Sequence, residues 1–229
     1  MTRDDCPPPP IDDAAAAPAG HAKWPEDTEG VFATVRTLIQ SRQTVLPKRL
    51  VEPGPTPAEL QALLELAAAA PDHGQLTPWR FIVVPPAQRH RLAEVFAHAL
   101  AERDPAATPE QVAQAREKAY RAPLLMLAVA CLGPREPDVP ALERMVSMGA
   151  ALQNLLLGAH ALGYGAGLTS GQAMASLPMQ HLCGLAEGEV AVCCVNIGTA
   201  TRRSQRLQPR PLPAQLLGEL PPAPVADGS

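Results

Sequence analysis

The sequence predicts a single domain in which α-helices alternate with buried β-strands, so the fold class is α/β or α+β. Three short apolar runs are bounded by turn residues, and amphipathic helical patterns lie before and between them. The chain has 229 residues, which is enough for one domain with a sizeable core. The lengths of the connections leave both arrangements open, and the sequence contains no internal repeat.

The first half of the domain is predicted to be mainly helical. Apolar residues recur at helical spacing over residues 31–41. A capping box with proline at the first helical position opens a second helix over residues 56–70. The β-branched run at 80–84 is closed by two prolines and predicts a strand. Two more helices are predicted over residues 88–101 and 108–120, the latter beginning at another capping box.

The second half contains the most apolar segments. Residues 124–131 show no alternation, which is typical of a strand buried on both faces. Residues 142–162 predict a long helix with almost no charge after Arg144. We expect this helix at the centre of the core or of a subunit interface. Residues 189–197 predict a third buried strand.

The two ends of the chain differ in composition from the domain between them. Residues 1–30 combine a proline run, an alanine run and scattered acids, which predicts a disordered or loosely docked extension. Residues 208–229 alternate prolines with leucines and predict an extended C-terminal arm or tail. The folded domain is therefore expected over residues 31–207.

Composition excludes several classes of function. Aromatic residues make up 3% of the chain, and the net charge is −4 with no basic block, so nucleic acid is not an expected partner. The longest apolar runs are far shorter than the roughly 20 residues that cross a bilayer. The N-terminus has no apolar signal core. We therefore expect a cytoplasmic protein without membrane contact.

The five cysteines predict reduced, packed thiols. Their number is odd, and Cys193 and Cys194 are adjacent in an apolar run, where they would point to opposite faces of a strand. Neither this pair nor His181 with Cys183 has the spacing of a zinc site. We expect neither a structural disulfide nor a bound metal.

Two glycine-containing motifs have structural rather than catalytic interpretations. Residues 163–167 resemble part of a dinucleotide fingerprint, but they follow a helix instead of a strand, so a helix C-cap and a tight turn are predicted. Residues 168–171 lack the spacing of a nucleophile elbow. A serine hydrolase is not supported.

Three segments remain as candidates for binding an anion. Residues 42–44 follow the first helix, and Lys48 and Arg49 come shortly after them. Residues 71–79 carry His, Gln and Trp between a helix and a strand, which a plain connection does not need. Residues 201–203 place two arginines after the last buried strand, where they could reach a phosphate.

In chain order, these segments resemble the flavin-dependent nitroreductases, and in particular the compact branch with Pro-Asp-His and Pro-Trp motifs. The resemblance spans roughly residues 31–210 and rests on an ordered set of short motifs: Ser41 to Val45, Leu50 to Thr56, Ala70 to His73, Pro78 to Phe81, Arg121 to Pro123, the glycine-rich turn up to Gly171, and Gly198-Thr199.

The resemblance implies an α+β fold with a mixed, mainly antiparallel sheet surrounded by helices. It also implies an intertwined homodimer with two FMN molecules at the subunit interface, with the helix from Leu142 at its centre and the proline-rich arm crossing the partner. The implied activity is an FMN-dependent NAD(P)H oxidoreductase. Hydride would pass from NADH or NADPH through flavin N5 to a nitroaromatic, quinone or related acceptor, with ping-pong kinetics and no catalytic side chain.

The resemblance also assigns roles to individual residues. Arg42 and Thr44 match ligands of the FMN phosphate, and Gln43 stands where the family usually has a second basic residue. His73 matches a residue that contacts the flavin from the partner subunit. The complete set of expected FMN-binding residues is Arg42, Gln43, Thr44, His73, Leu168, Thr169, Ser170 and Arg203.

The role of each remaining residue in that set follows from its motif. Residues 168–170 match the stretch beside the isoalloxazine ring, and Arg203 matches a phosphate ligand after the last core strand. Either Lys48 or Arg49 would supply the cation near the flavin pyrimidine. Gln43, together with Ala69 where some relatives have arginine, keeps open a flavin-binding protein with little turnover. A third alternative is an interaction module that has lost flavin.

Overall fold

The computed structural model describes residues 26–134, 138–202 and 209–220. These residues form six α-helices and five strands, together with short 3₁₀ turns. In chain order they are α1 (Thr28–Ser41), β1 (Leu50–Val51), α2 (Pro57–Ala68), β2 (Trp79–Val83), α3 (Arg89–Arg103), α4 (Pro109–Glu117), β3 (Leu124–Cys131), α5 (Ala141–Ala161), β4 (Gly165–Thr169), α6 (Leu177–Cys183) and β5 (Glu189–Ala200).

The strands form one sheet in which every strand pair is antiparallel. The order β1-β5-β3-β2 has β3 and β5 at its centre, and β4 also pairs with β5. The one parallel contact among the described residues is an isolated bridge between Thr44 and Ala166. Antiparallel pairing resolves the choice that the sequence left open: the fold is α+β, with a mixed, mainly antiparallel sheet surrounded by helices.

Helices cover both faces of this sheet. On one face α2 and α5 pack against alternate residues of β3 and β5, and Cys193 belongs to this cluster. On the other face α3 and α6 form a second cluster that contains Cys194. The prediction that the two cysteines point to opposite faces is confirmed, as is the burial of β3 on both faces. Burial raises the pKa of Cys193 to about 11 and that of Cys194 to about 12, so both remain thiols near neutral pH.

Local sequence signals account for the helix ends. Thr56 and Thr108 form the predicted capping boxes with Glu59 and Gln111. At the end of α5, Tyr164 N–H donates to the Ala159 carbonyl and Gly163 lies at φ +89°, which is the predicted C-cap. Helix α1 begins three residues before the predicted start, because the Asp27 carboxylate accepts from Gly30 N–H and caps it.

Three elements were not predicted. Strand β4 occupies residues that the sequence favoured as a turn, and β1 and α6 lie in segments without a clear period. Strand β5 also extends three residues beyond the predicted end, to Ala200, where it pairs with β1. The reason lies in tertiary contacts: glycines in β4 are selected by close neighbours and not by strand propensity.

The protein exposes a substantial apolar surface. Helix α1 has no buried residue, and its Phe32 is 67% exposed beside Val31, Val35 and Ile39. The start of α5 exposes Leu142 and Val146, although the rest of this helix lies at the centre of the core, as predicted. The C-terminal arm over residues 209–220 exposes four leucines.

The described residues contain neither a candidate membrane span nor a disulfide. None of their helices is long and apolar enough to span a membrane. Their cysteines, at positions 131, 183, 193 and 194, are free. They contain no group of three metal-ligating side chains. The N-terminal extension up to residue 25, Arg203 and the last nine residues lie outside the described ranges.

Candidate functional site

Two segments that the sequence placed far apart lie side by side. Thr44 bridges to Ala166 of β4, and Val45 N–H donates to the Ala166 carbonyl over 2.9 Å. A Cβ atom at Gly167 would lie 2.5 Å from the carbonyl oxygen of Val45. The expected phosphate ligands at 42–44 therefore adjoin the strand that leads to the expected flavin-ring stretch at 168–170.

A cleft of about 680 Å³, the larger of two at this junction, opens beside residues 43–45. Its walls come from α1, the end of α5 and the start of β4. Gln43, Thr44, Arg49 and Arg202 line it, and no carboxylate does so among the described residues. Hydroxyl groups and guanidinium groups without competing acids are the donors that a phosphate group prefers.

The Ser41–His160 pair closes one side of the larger cleft. Ser41 Oγ lies 2.8 Å from His160 Nε2 and joins the C-terminal ends of α1 and α5. Because α1 has no buried residues, this hydrogen bond helps to anchor it to the rest of the domain. The bond fixes the residue that immediately precedes Arg42.

A smaller cleft, of about 430 Å³, lies at the other end of the junction. Thr169 and Ser170 line it, together with residues of α3 and of the segment after α4. Four cationic side chains line it: Lys48, Arg103, Lys118 and Arg121. The smaller cleft therefore combines the expected flavin-ring residues with a concentration of positive charge.

Hydrogen bonds fix the end of β4 at the smaller cleft. Asn196, which is buried in β5, donates through Nδ2 to Thr169 Oγ1 over 3.1 Å and to the Gly167 carbonyl over 3.3 Å. Ser170 Oγ donates to the Val192 carbonyl over 3.0 Å. Leu168, which lies between Gly167 and Thr169, is partly exposed. The stretch at 168–170 is thus held rigidly against the central strand.

The structure separates the two cations between which the sequence could not choose. Lys48 lines the smaller cleft, together with Thr169 and Ser170. Arg49 lines the larger cleft, together with Thr44. Arg42 is half-buried at the end of α1 in an extended conformation and lines neither cleft.

His73 lies away from both clefts of its own chain. Its Nδ1 is 2.6 Å from Glu143 Oε2 in the first turn of α5, and its side chain is 69% exposed. The larger cleft lies at the opposite end of this 21-residue helix, which is about 30 Å long. The loop that carries His73 has left-handed backbone at Gly74, Gln75 and Thr77, which is uncommon for the two residues with side chains.

Trp79, which sequence analysis grouped with His73, has a different position. It begins β2 and is buried in the core cluster formed by α2 and α5. Arg203 lies outside the described residues, but its neighbour Arg202 lines the larger cleft.

Several site residues were missed by sequence analysis. Arg103 and Lys118 are ordinary surface cations in the sequence, and Arg121 belongs to the Arg121-to-Pro123 motif but was given no binding role. Only the packing of α3 against α4 and the segment after it brings the three together. Asn196 had a detectable signal, since it is a lone amide in an apolar strand. A buried amide must find hydrogen-bond partners, and Asn196 finds them in Gly167 and Thr169 of β4.

Comparison with known proteins identifies the family. The model of the nitroreductase family matches residues 39–199. A relative from Haemophilus influenzae, named "Putative NAD(P)H nitroreductase", is 32% identical over 170 residues, which cover 74% of this chain and 90% of the relative. "Putative NAD(P)H nitroreductase YdjA" of Escherichia coli K12 is 32% identical over 152 residues, covering 66% and 81%.

Solved structures share the fold at lower identity. A nitroreductase-like family protein from Bacillus cereus superposes with a TM-score of 0.69 at 19% identity, covering 81% of this chain and 95% of that one. A point mutant of NfnB, an FMN and NADPH-dependent nitroreductase from Sphigopyxis sp. strain HMH, gives 0.63 at 17% identity, covering 80% and 97%. The sequence relatives and the shared architecture lead to one conclusion: the chain belongs to the nitroreductase family of oxidoreductases.

Proposed function

We propose that this oxidoreductase is an FMN-dependent enzyme that uses NADH or NADPH to reduce nitroaromatics, quinones or related acceptors. One observation carries the proposal: residues 42–45 adjoin β4, and a cleft lined by donors opens at each end of this junction. The names of the sequence relatives support NAD(P)H as the electron donor. The FMN named for NfnB supports the choice of flavin.

The residues of the larger cleft fit the phosphate end of FMN. We assign Gln43 and Thr44 to this end because they line the cleft, and Arg42 because it directly precedes them. Arg49 and Arg202 are further donors, and Arg203 directly follows Arg202 in sequence. The FMN phosphate carries about two negative charges, so charge-assisted hydrogen bonds favour it over neutral ligands. The absence of carboxylates from the described lining removes the repulsion that would oppose binding.

The wall of the smaller cleft fits the ring end. We assign Leu168, Thr169 and Ser170 to the isoalloxazine ring, and Lys48 to the pyrimidine edge because it lines the smaller cleft together with Thr169 and Ser170. When bound, the flavin supplies hydride acceptance at N5 and hydride donation to the acceptor, in ping-pong order. The side chains bind and orient the reactants, and Asn196 keeps the wall in place.

A homodimer would complete the site. The apolar residues exposed on α1, at the start of α5 and on the C-terminal arm are surfaces that a second copy would cover. His73 lies about one helix length from the larger cleft of its own chain, so we assign its flavin contact to the site of the partner subunit. This arrangement also explains why α1 has no buried residue within one subunit.

Gln43 supports one alternative, a flavin-binding protein with little turnover. It lines the larger cleft where relatives carry a second basic residue. Weaker phosphate binding alone would not change the redox chemistry, since that belongs to the flavin. The two functions are therefore separated by turnover and not by binding.

The test is the visible absorbance spectrum of the purified protein before and after NADH or NADPH is added under nitrogen. We expect a flavin spectrum that bleaches with a reduced nicotinamide and returns when a quinone or nitroaromatic is added. A bound flavin that does not bleach would favour the flavin-binding alternative. A colourless protein that cannot be reconstituted with FMN would contradict both.

Arg42→Ala and Arg203→Ala are each expected to weaken FMN binding by about 1.5 to 3 kcal/mol, the range for a hydrogen bond to a charged group. Fluorescence titration of apoprotein with FMN measures the change. Arg91→Ala is the control, because Arg91 is an exposed cation of α3 and belongs to none of the segments assigned to FMN. Unchanged affinity in both Arg42→Ala and Arg203→Ala would refute the phosphate assignment.

A further inference from the structure

The smaller cleft carries a concentration of positive charge that the assigned flavin contacts do not use. Lys48 is assigned to the pyrimidine edge, which leaves Arg103 at the end of α3 and Lys118 and Arg121 after α4. No carboxylate lines the cleft among the described residues. Low-dielectric walls lined by charges of one sign concentrate the field and favour ligands of the opposite sign.

The acidic side chains on the neighbouring helices do not neutralise this charge. Glu94 forms an ion pair with Arg116 over 2.8 Å, and Glu102 lies 3.4 Å from His98. Arg121 is partly compensated by Glu117 at 3.5 Å. Within the described ranges, no ion pair involves Lys48, Arg103 or Lys118.

Apolar side chains line the same cleft. Phe96, Leu100, Leu125 and Met174 line it together with the cations. The volume of about 430 Å³ lies within the usual range for small-molecule sites. An apolar surface beside a cationic rim suits a flat apolar ring that carries an anionic substituent.

We propose that the smaller cleft selects aromatic electron acceptors that carry a carboxylate, and that Arg103 and Lys118 recognise this group. The proposal rests on the proposed function, because it names the acceptor class of that same site. A guanidinium group binds a carboxylate through two parallel hydrogen bonds, and an ammonium group adds a second charge. Thr169 and Ser170, which are assigned to the flavin ring, line the same cleft, so the bound aromatic ring would lie beside the flavin.

The binding test uses benzoate and benzamide, which have the same shape and differ in charge. Each is titrated by calorimetry into the FMN-loaded protein at low ionic strength. We expect benzoate to bind about fivefold more tightly, the scale of two partly exposed ion pairs. This preference is expected to disappear in the double variant Arg103→Gln/Lys118→Gln and to persist in Arg91→Gln, which removes a cation of α3 outside the cleft.

A kinetic arm compares 4-nitrobenzoate with 4-nitrobenzamide as acceptors, and NADPH with NADH as donors. We expect the double variant to lose the preference in kcat/KM for the nitrobenzoate while reducing the amide as well as the wild type does. Equal binding of benzoate and benzamide to the wild-type protein would overturn the proposal. A double variant that loses only a preference for NADPH would also overturn it, since the cations would then bind the phosphate of the donor.

The two arms separate the inference from the function on which it rests. If the protein reduces neither acceptor, nor a quinone, but still prefers benzoate through Arg103 and Lys118, the proposed function fails and the carboxylate site stands. If both acceptors are reduced equally well and benzoate has no advantage, the oxidoreductase proposal stands and the carboxylate site is refuted.

Discussion

Replacing Glu189 with leucine is expected to lower the free energy of unfolding by about 3 to 5 kcal/mol, the cost of removing one partner from a buried ion pair. Arg80 donates from Nε to Glu189 Oε1 over 2.6 Å and from Nη2 to Oε2 over 2.8 Å. The Glu189 side chain is 1% exposed and that of Arg80 is 25% exposed. Glu189 Oε2 also accepts from Ala186 N–H, so the carboxylate joins β2, β5 and the turn after α6.

Urea unfolding followed by circular dichroism measures this loss, which is a large part of the stability of an ordinary domain. The control is Glu94→Leu at an exposed pair of similar geometry, where Arg116 donates to both carboxylate oxygens. That change should cost no more than about 1 kcal/mol. The double variant Arg80→Met/Glu189→Leu should recover part of the loss, because it removes the cation together with the carboxylate. Equal losses at Glu189 and Glu94 would contradict the argument.

The central part of the fold follows from the sequence alone. The predicted strands at 80–84, 124–131 and 189–197 are all present as β2, β3 and β5; β3 and β5 form the centre of the sheet, and β2 pairs with β3 at one end of the strand order. The capping boxes at Thr56 and Thr108 place two helix starts correctly, since these signals depend on residues only three apart. Local sequence patterns therefore suffice to predict elements whose formation depends on residues close together in the chain.

Strand β4 shows where local patterns fail. Two of its five residues are glycines, which have low strand propensity and suggest a turn. They are required because side chains at these positions would meet Val45, Leu50 and Ala200. The neighbours are distant in sequence, so the strand becomes evident only after the chain has folded.

The candidate site also has a part that the sequence predicts and a part that depends on tertiary contacts. The segments at 42–44 and 168–170 carry recognisable motifs, but their adjacency depends on the contact of Thr44 and Val45 with Ala166. Of the cations in the smaller cleft, Arg103 and Lys118 carry no motif. In the sequence they resemble any solvent-exposed charge on a helix, and only the approach of α3 to α4 brings them together.

Replacing Gly167 with alanine is expected to weaken FMN binding by about tenfold, or about 1.4 kcal/mol. The added Cβ would lie 2.5 Å from the Val45 carbonyl oxygen, which is backbone and cannot rotate away. Residues 44–45 must then move away from β4, which separates the phosphate segment from the ring stretch. We also expect a loss of unfolding free energy of about 1 to 3 kcal/mol from the overpacking.

Two measurements test whether the junction itself forms the site. Fluorescence titration gives the FMN affinity of Gly167→Ala, and urea unfolding gives its stability. Gly171→Ala is the stability control, because a Cβ there meets nothing within 4 Å. If Gly167→Ala is destabilised but binds FMN as tightly as the wild type, the two segments need not adjoin for binding. The phosphate and the ring must then be held by residues other than those assigned here.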